Sequence, residues 1–207
     1  MSPSPASGRA RPLPADERRA ALIAATLPLL SQCGTRVTTR QIAEAAGVAE
    51  GTIFRVFKHK DELVAVTIAS VFDPEPTLAE LDGVDRSLPL RVRLLQITGI
   101  LQRRLLTVFN LMMVLRMTAP PEEIDKQRHN AGPAHAGILK KIVELLEPDR
   151  DQFRVPPMEV VRLLRLLTFA GSHPMITDGE LLTADEITDV LLNGVSRKPE
   201  NRGERSC

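Results

Sequence analysis

Phe54 and Arg55 stand side by side in the stretch EAAGVAEGTIFRVFKHKDEL (residues 44–63), and Lys58 and Lys60 follow closely. An aromatic face, a guanidinium and two ammonium groups so near one another offer contact chemistry, of the kind that phosphates and base edges accept. Nothing comparable supports bond-breaking chemistry. The chain has no nucleophile elbow, phosphate-binding loop, HExxH motif or Cys–His pairing. Glu122-Glu123 has no placeable partner. His129 and His135 are six apart, off a common helical turn, and no carboxylate joins them, so no metal site is expected. Cys33 and Cys207 lack CxxC spacing and suggest neither a disulfide framework nor a zinc site.

The helix that would carry Phe54 and Arg55 spans about Glu50 to Phe57, barely two turns, which is marginal in water by itself. It must be held by neighbours. TTRQ (38–41) reads as a capping box with Thr38 as N-cap, opening a helix from Thr39 to Ala46 that Gly47 ends. Gly47 permits a positive φ in a tight turn. Ala43 is small where the second helix must cross, and Ile42, Ala46, Val48, Ile53 and Val56 form an apolar wedge between the two helices. The outer face is then left to enter a major groove, while Phe57 and Leu63 belong to the core. A helix from Asp16 to Cys33 precedes, with Leu22, Ile23, Leu27 and Leu30 as its stripe and Gly34 as its stop. Pro28 should kink or split it. A further helix, 61–72, ends at Asp73-Pro74, and a proline-containing linker (73–77) follows.

Composition agrees with helices. Of 207 residues 43% are hydrophobic but only 3% aromatic, with no Trp or Tyr, so the core must be aliphatic. Residues 1–72 carry nine Lys or Arg against six Asp or Glu, while the remainder carries 18 against 20. The basic surplus thus sits in the half that holds the short helix. The opening MSPSPASGRARPLP has no apolar core of a signal peptide. The richest apolar run, Leu94 to Met117, is broken by Arg103, Arg104 and Arg116, so no membrane span is expected. A reducing cytoplasm is the expected setting.

Beyond the linker, helical patterns cover 88–117 with a break near Thr107–Asn110, then 121–130, 133–147, 157–172 and 184–195, the last opened by a Thr183–Glu186 capping box. PMEVVRLLRLLTFAGS (157–172) is apolar over more than half its circumference, which calls for two partners, its own domain and a second subunit. Leu163, Leu167, Ala170, Ile187, Val190, Leu191 and Gly194 are the expected dimer interface, with Ala170, Gly171 and Gly194 small enough for close approach. Met112, Met113 and Met117 are adaptable fillers for an apolar pocket. Val108 and Phe169 extend it, and Arg104, Asn110, Arg116, His135, Thr168 and His173 are its candidate polar groups, for a small apolar or amphipathic effector.

GVAEGTIFRVFKHKDELV, with AALIAATLPLLSQCG and TTRQIAEAAG upstream, resembles the TetR family of bacterial transcription regulators over about residues 18–70. The resemblance implies an all-α fold: a disordered basic arm (1–14), a three-helix helix-turn-helix domain (15–72), a larger helical effector-binding and dimerisation domain (73–197) and a disordered tail (198–207). It implies that Arg40 and residues 50–55, including Glu50, Gly51, Phe54 and Arg55, face base edges. Arg40 and Arg55 would fork onto guanine, Glu50 would accept from cytosine N4, and Phe54 would lie against a thymine methyl. Thr38, Thr39, Thr52, Lys58 and Lys60 would hold phosphates. Ala49 stands where the family often has a capping Ser, and Phe54 where it often has Tyr; with Glu50, these departures should lower generic phosphate affinity unless the basic arm compensates. The expected activity is that of a cytoplasmic, homodimeric, non-enzymatic repressor released from a palindromic double-stranded operator by its effector, without cofactor. A scaffold using the hairpin for protein contacts, and a small-molecule enzyme, are the competing classes.

Overall fold

The computed structural model describes residues 14–116 and 132–195. Met117, His129, Cys207, the expected helix at 121–130 and the tail lie outside them, as do the arm up to residue 13 and the side chain of His135. The chain divides between Ser70 and Val71 into two compact units, and every regular element among the described residues is a helix.

In the first unit α1 (Ala15–Cys33) buries Leu22, Thr26 and Leu30, four residues apart on one stripe. Ile23 and Leu27 flank that stripe half-buried. Pro28 does not split α1. Its ring lies on the exposed side, and the cost is one absent donor. A 3-10 turn (Gly34–Arg36) leads to α2 (Thr39–Ala46). The capping box forms as expected: the Gln41 amide donates to Thr38 Oγ1 at 3.2 Å, and the Thr38 amide donates to Gln41 Oε1 at 2.9 Å. Gly47 closes α2 at φ 65°, where a side chain would be strained. α3 (Glu50–Val56) and α4 (Lys60–Phe72) follow. Ile42, Ala43, Ile53, Phe57 and Leu63 are all buried, and Arg19 lies 4.4 Å over the Phe57 ring.

The second unit contains α5 (Glu75–Asp82), α6 (Leu90–Val114), α7 (Gly132–Leu146), α8 (Pro157–Gly171) and α9 (Ala184–Val195). α5 occupies most of the stretch expected to be linker. Its prolines, Pro74 and Pro76, sit where a helix start needs no donor, and Leu81 supplies a core contact. α6 runs through Thr107–Asn110 without the expected break. α9 packs on α6 and α8, and α7 packs on α5 and α8, around Leu94, Ile97, Ile142, Leu145, Val160, Leu164, Ile187 and Leu191. Arg93 is also buried, only 2% exposed. Its guanidinium donates to the Arg86 carbonyl at 2.5 Å and pairs with the Asp149 carboxylate. Burial pulls its pKa down and the charge of Asp85 opposes that, while Nε has no hydrogen-bond partner among the described residues.

Candidate nucleic-acid interface

The short helix α3 owes its place to two buried anchors. Ile53 points inward with no exposure, and the C-cap residue Phe57 is 1% exposed. The helical period turns Glu50, Gly51, Phe54 and Arg55 outward, with Lys58 just past the end. Phe54 is 52% exposed, a large aromatic surface for a monomer to leave in water. Ala49 at the N-cap provides no acceptor, and α3 begins without a side-chain cap. Thr52 is half-buried, and its amide donates to the Ala49 carbonyl at 2.8 Å.

The start of α2 comes close to the start of α3. Thr39 Oγ1 donates to the Glu50 carboxylate across a separation of eleven residues. Arg40 is exposed and donates to Glu44 Oε1 at 3.0 Å along the same helix. The Lys58 amide donates to Glu62 Oε2 at 2.7 Å, which leaves the Lys58 ammonium without a charged partner among the described residues. Arg55 is exposed and likewise has no acidic partner there. One outward surface therefore presents Thr39, Arg40, Glu50, Gly51, Phe54, Arg55 and Lys58.

Two of the expected phosphate contacts are already engaged within the unit. The Lys60 ammonium does not project outward: it donates to the Thr35 and Val37 carbonyls, 3.2 Å from each, and ties the turn after α1 to the start of α4. One carbonyl lies within the 3-10 turn and the other just after it, and at such a helix end a nearby cation satisfies them. Thr38 is exposed, but its hydroxyl is engaged in the capping box.

In the second unit several expected site residues are used internally. Arg104 holds the segment 72–77 at the start of the second unit, donating to the Phe72 carbonyl at 3.0 Å, the Asp73 carbonyl at 2.6 Å and Thr77 Oγ1 at 2.8 Å. It is a structural clamp rather than a free effector ligand. Thr168 is buried and returns its hydroxyl to the Leu164 carbonyl at 2.7 Å. Val108 and Met112 are half-buried, while Met113, Asn110 and Arg116 are exposed, Arg116 at φ 53°. Phe169 and His173 meet with Phe109, a residue the pattern reading missed. Phe109 stands edge-on to both rings, its centroid 5.2 Å from Phe169 and 4.7 Å from His173. The i,i+4 pair Phe169–His173 was the sequence signal for this cluster, but its α6 partner depended on the packing. His173 Nδ1 also accepts from the Met175 amide at 3.3 Å.

The expected dimer residues divide. Leu163, Leu167, Ala170 and Gly194 are half-buried, and Val190 is 54% exposed. Ile187 and Leu191 are instead fully inside the protomer's own core, so neither offers a surface to a second subunit. Gly171 likewise serves the protomer: a Cβ there would lie 3.0 Å from Leu182, whose amide donates to the Gly171 carbonyl at 2.9 Å. Met158, Leu166 and Phe169 are exposed on α8. Among the described residues no group of His, Cys, Asp and Glu is arranged to hold a metal, and no helix is long and apolar enough to cross a membrane.

Residues 22–67 match the profile of the bacterial regulatory proteins of the tetR family. Solved structures share the fold at low identity. A TetR transcriptional regulator from Streptomyces coelicolor is 18% identical with a TM-score of 0.56, the match covering 86% of this chain and 98% of that one. A TetR family transcription regulator from Marinobacter aquaeolei is 18% identical with a TM-score of 0.52, over 88% and 97%. NalD of Pseudomonas aeruginosa, described as the secondary repressor of the MexAB-OprM multidrug efflux pump, is 19% identical with a TM-score of 0.52, over 88% and 98%. A helix-turn-helix with a left-handed glycine turn, an outward-facing short helix and a matching profile lead to one assignment: residues 22–67 form a segment of the kind found in bacterial regulatory proteins of the tetR family, and the chain shares the fold of solved TetR-family regulators.

Proposed function

We propose that this regulator is a homodimeric, cytoplasmic repressor that holds a palindromic operator and releases it when a small apolar or amphipathic molecule binds the second unit. The supporting observation is the outward surface of α2 and α3, where Arg40, Phe54, Arg55 and Lys58 remain exposed while Ile53 and Phe57 anchor the helix from behind. Arg40 and Arg55 suit guanine, Phe54 a thymine methyl, and Thr52 and Lys58 the phosphates, while the Thr39 hydroxyl is committed to Glu50. Gly51, exposed with nothing within 4 Å of the Cβ it lacks, leaves room for a close approach. Two such heads related by a two-fold axis suit paired half-sites. The exposed apolar residues of α8 with Val190 of α9 support the dimer, and Met112, Phe109 and Phe169 supply an apolar lining for the effector. Release follows only if the effector binds the two conformations with different affinity. No enzymatic step is part of this reading.

Selection from random double-stranded DNA tests it. Enrichment of a palindrome, with affinity falling steeply as salt rises, is the expected result. Salt-insensitive retention of all sequences, or none retained, would instead favour a scaffold that uses the hairpin for protein contacts.

A further inference from the structure

We propose that Glu50, oriented by Thr39, is a specificity-determining residue that selects a C·G pair in each operator half-site. This rests on α3 entering the major groove, as in the function proposed above. Glu50 is the first residue of α3, and a recognition helix brings its N-terminal residues to base edges. An ionised carboxylate only accepts hydrogen bonds. Oε1 accepts a hydrogen bond from the Thr39 hydroxyl, which fixes the side chain against the start of α2 and leaves Oε2 without a partner among the described residues. In the major groove cytosine offers a donor, N4, with no acceptor of its own beside it. Guanine presents O6 and N7, and thymine O4, all acceptors whose lone pairs face the carboxylate; adenine sets N7 beside its N6 donor. An anchored acid therefore favours cytosine and opposes the rest.

Charge around the head gives this selection weight. Residues 38–62 hold four cations, Arg40, Arg55, Lys58 and Lys60, against four carboxylates, Glu44, Glu50, Asp61 and Glu62. Lys60 is turned onto carbonyls and Arg40 is paired with Glu44. Within this segment the charges balance, so its own sequence-independent attraction to phosphate is modest and its base contacts must carry more of the discrimination.

The test uses the full chain in selection from random DNA, followed by titrations on the enriched site and on every single-base variant of it. Wild type should enrich a palindrome with one cytosine per half-site whose replacement weakens binding roughly tenfold or more. E50Q keeps an oxygen for Thr39 but places an amide donor where Oε2 was. It should abolish that cytosine preference and move it to a base with an acceptor. T39V removes the anchoring hydroxyl and keeps the shape, so the cytosine preference should shrink several-fold without moving to another base. A merely structural Thr39–Glu50 link would change affinity for all sequences alike, and that result would overturn the proposal. So would a cytosine preference that E50Q leaves intact, with DNA recognition itself still standing. Wild type enriching no sequence would remove both the proposal and the regulator function beneath it.

Discussion

α3 in the first unit and α8 in the second each expose a large hydrophobic surface, but in opposite company. On α3 the exposed Phe54 is surrounded by charge: Glu50, Arg55 and Lys58. On α8 the exposed Met158, Leu166 and Phe169 form an apolar stripe broken by Arg162 and Arg165 and bordered by half-buried Leu163, Leu167 and Ala170. A lone aromatic among charges fits a partner that is itself charged, with apolar points such as thymine methyls. A wide aliphatic stripe fits a partner of the same kind, whose association removes both from water. Exposure alone therefore does not identify a partner; the neighbours of the exposed residue do.

The comparison is most sharply broken at adjacent residues in α9. Leu191→Arg places an unpaired charge in the core and should cost at least about 3 kcal/mol, seen as loss of the cooperative melting transition. Val190→Arg, one residue away but exposed, should keep the fold and instead reduce the sedimenting mass from roughly twice 22.8 kDa to that of one chain. Equal damage from both would mean that α9 has no separate outer face. Within α3, Ile53→Ala should lower stability by about 2–5 kcal/mol in urea titration. Arg55→Ala should leave stability unchanged and weaken operator binding by about 1–3 kcal/mol, relaxing selection at one base pair per half-site. If Arg55→Lys keeps full discrimination, the guanidinium is holding phosphate instead.

Two lysines sharpen the picture on a smaller scale. Lys58→Ala should weaken all DNA alike and flatten the salt dependence by about one counterion per subunit. Lys60→Ala should lower the melting temperature slightly through its two lost carbonyl contacts, about 1 kcal/mol, and change the salt slope less than Lys58→Ala. Thr38→Ala, which removes the α2 cap, should also cost about 1 kcal/mol. The smallest effect belongs to the α9 cap. The backbone N–H of Thr183, then its hydroxyl, hold the Glu186 carboxyl below its ordinary pKa. A depressed carboxylate contributes stability that is complete above its unfolded pKa and lost as pH falls through the folded one. The difference in melting temperature between wild type and Glu186→Gln should therefore be complete at neutral pH and shrink only as the pH falls below the ordinary glutamate range and through the lower folded pKa.

The first unit was legible because its signals are local. A capping box, a glycine at the αL turn and aliphatics at helical spacing each act within a few residues, and Thr38, Gly47, Ile42, Ile53 and Phe57 take the places their types imply. In the second unit the sequence by itself determined helix content and most boundaries: 184–195 matches α9, and 157–172 matches α8 to within a residue. Only the tertiary structure decided which face each helix buries. The apolar stripe of the last helix could serve either the protomer's own core or a second subunit, and the fold put Ile187 and Leu191 in that core while Val190 stayed outside. Arg104 and Lys60 looked like ligand-binding cations, yet their partners are backbone carbonyls distant in sequence, Phe72 and Asp73 for one, Thr35 and Val37 for the other. A long cation can serve any acceptor within its reach. Which acceptor that is depends on how separate segments fold together, and no spacing along the chain records it.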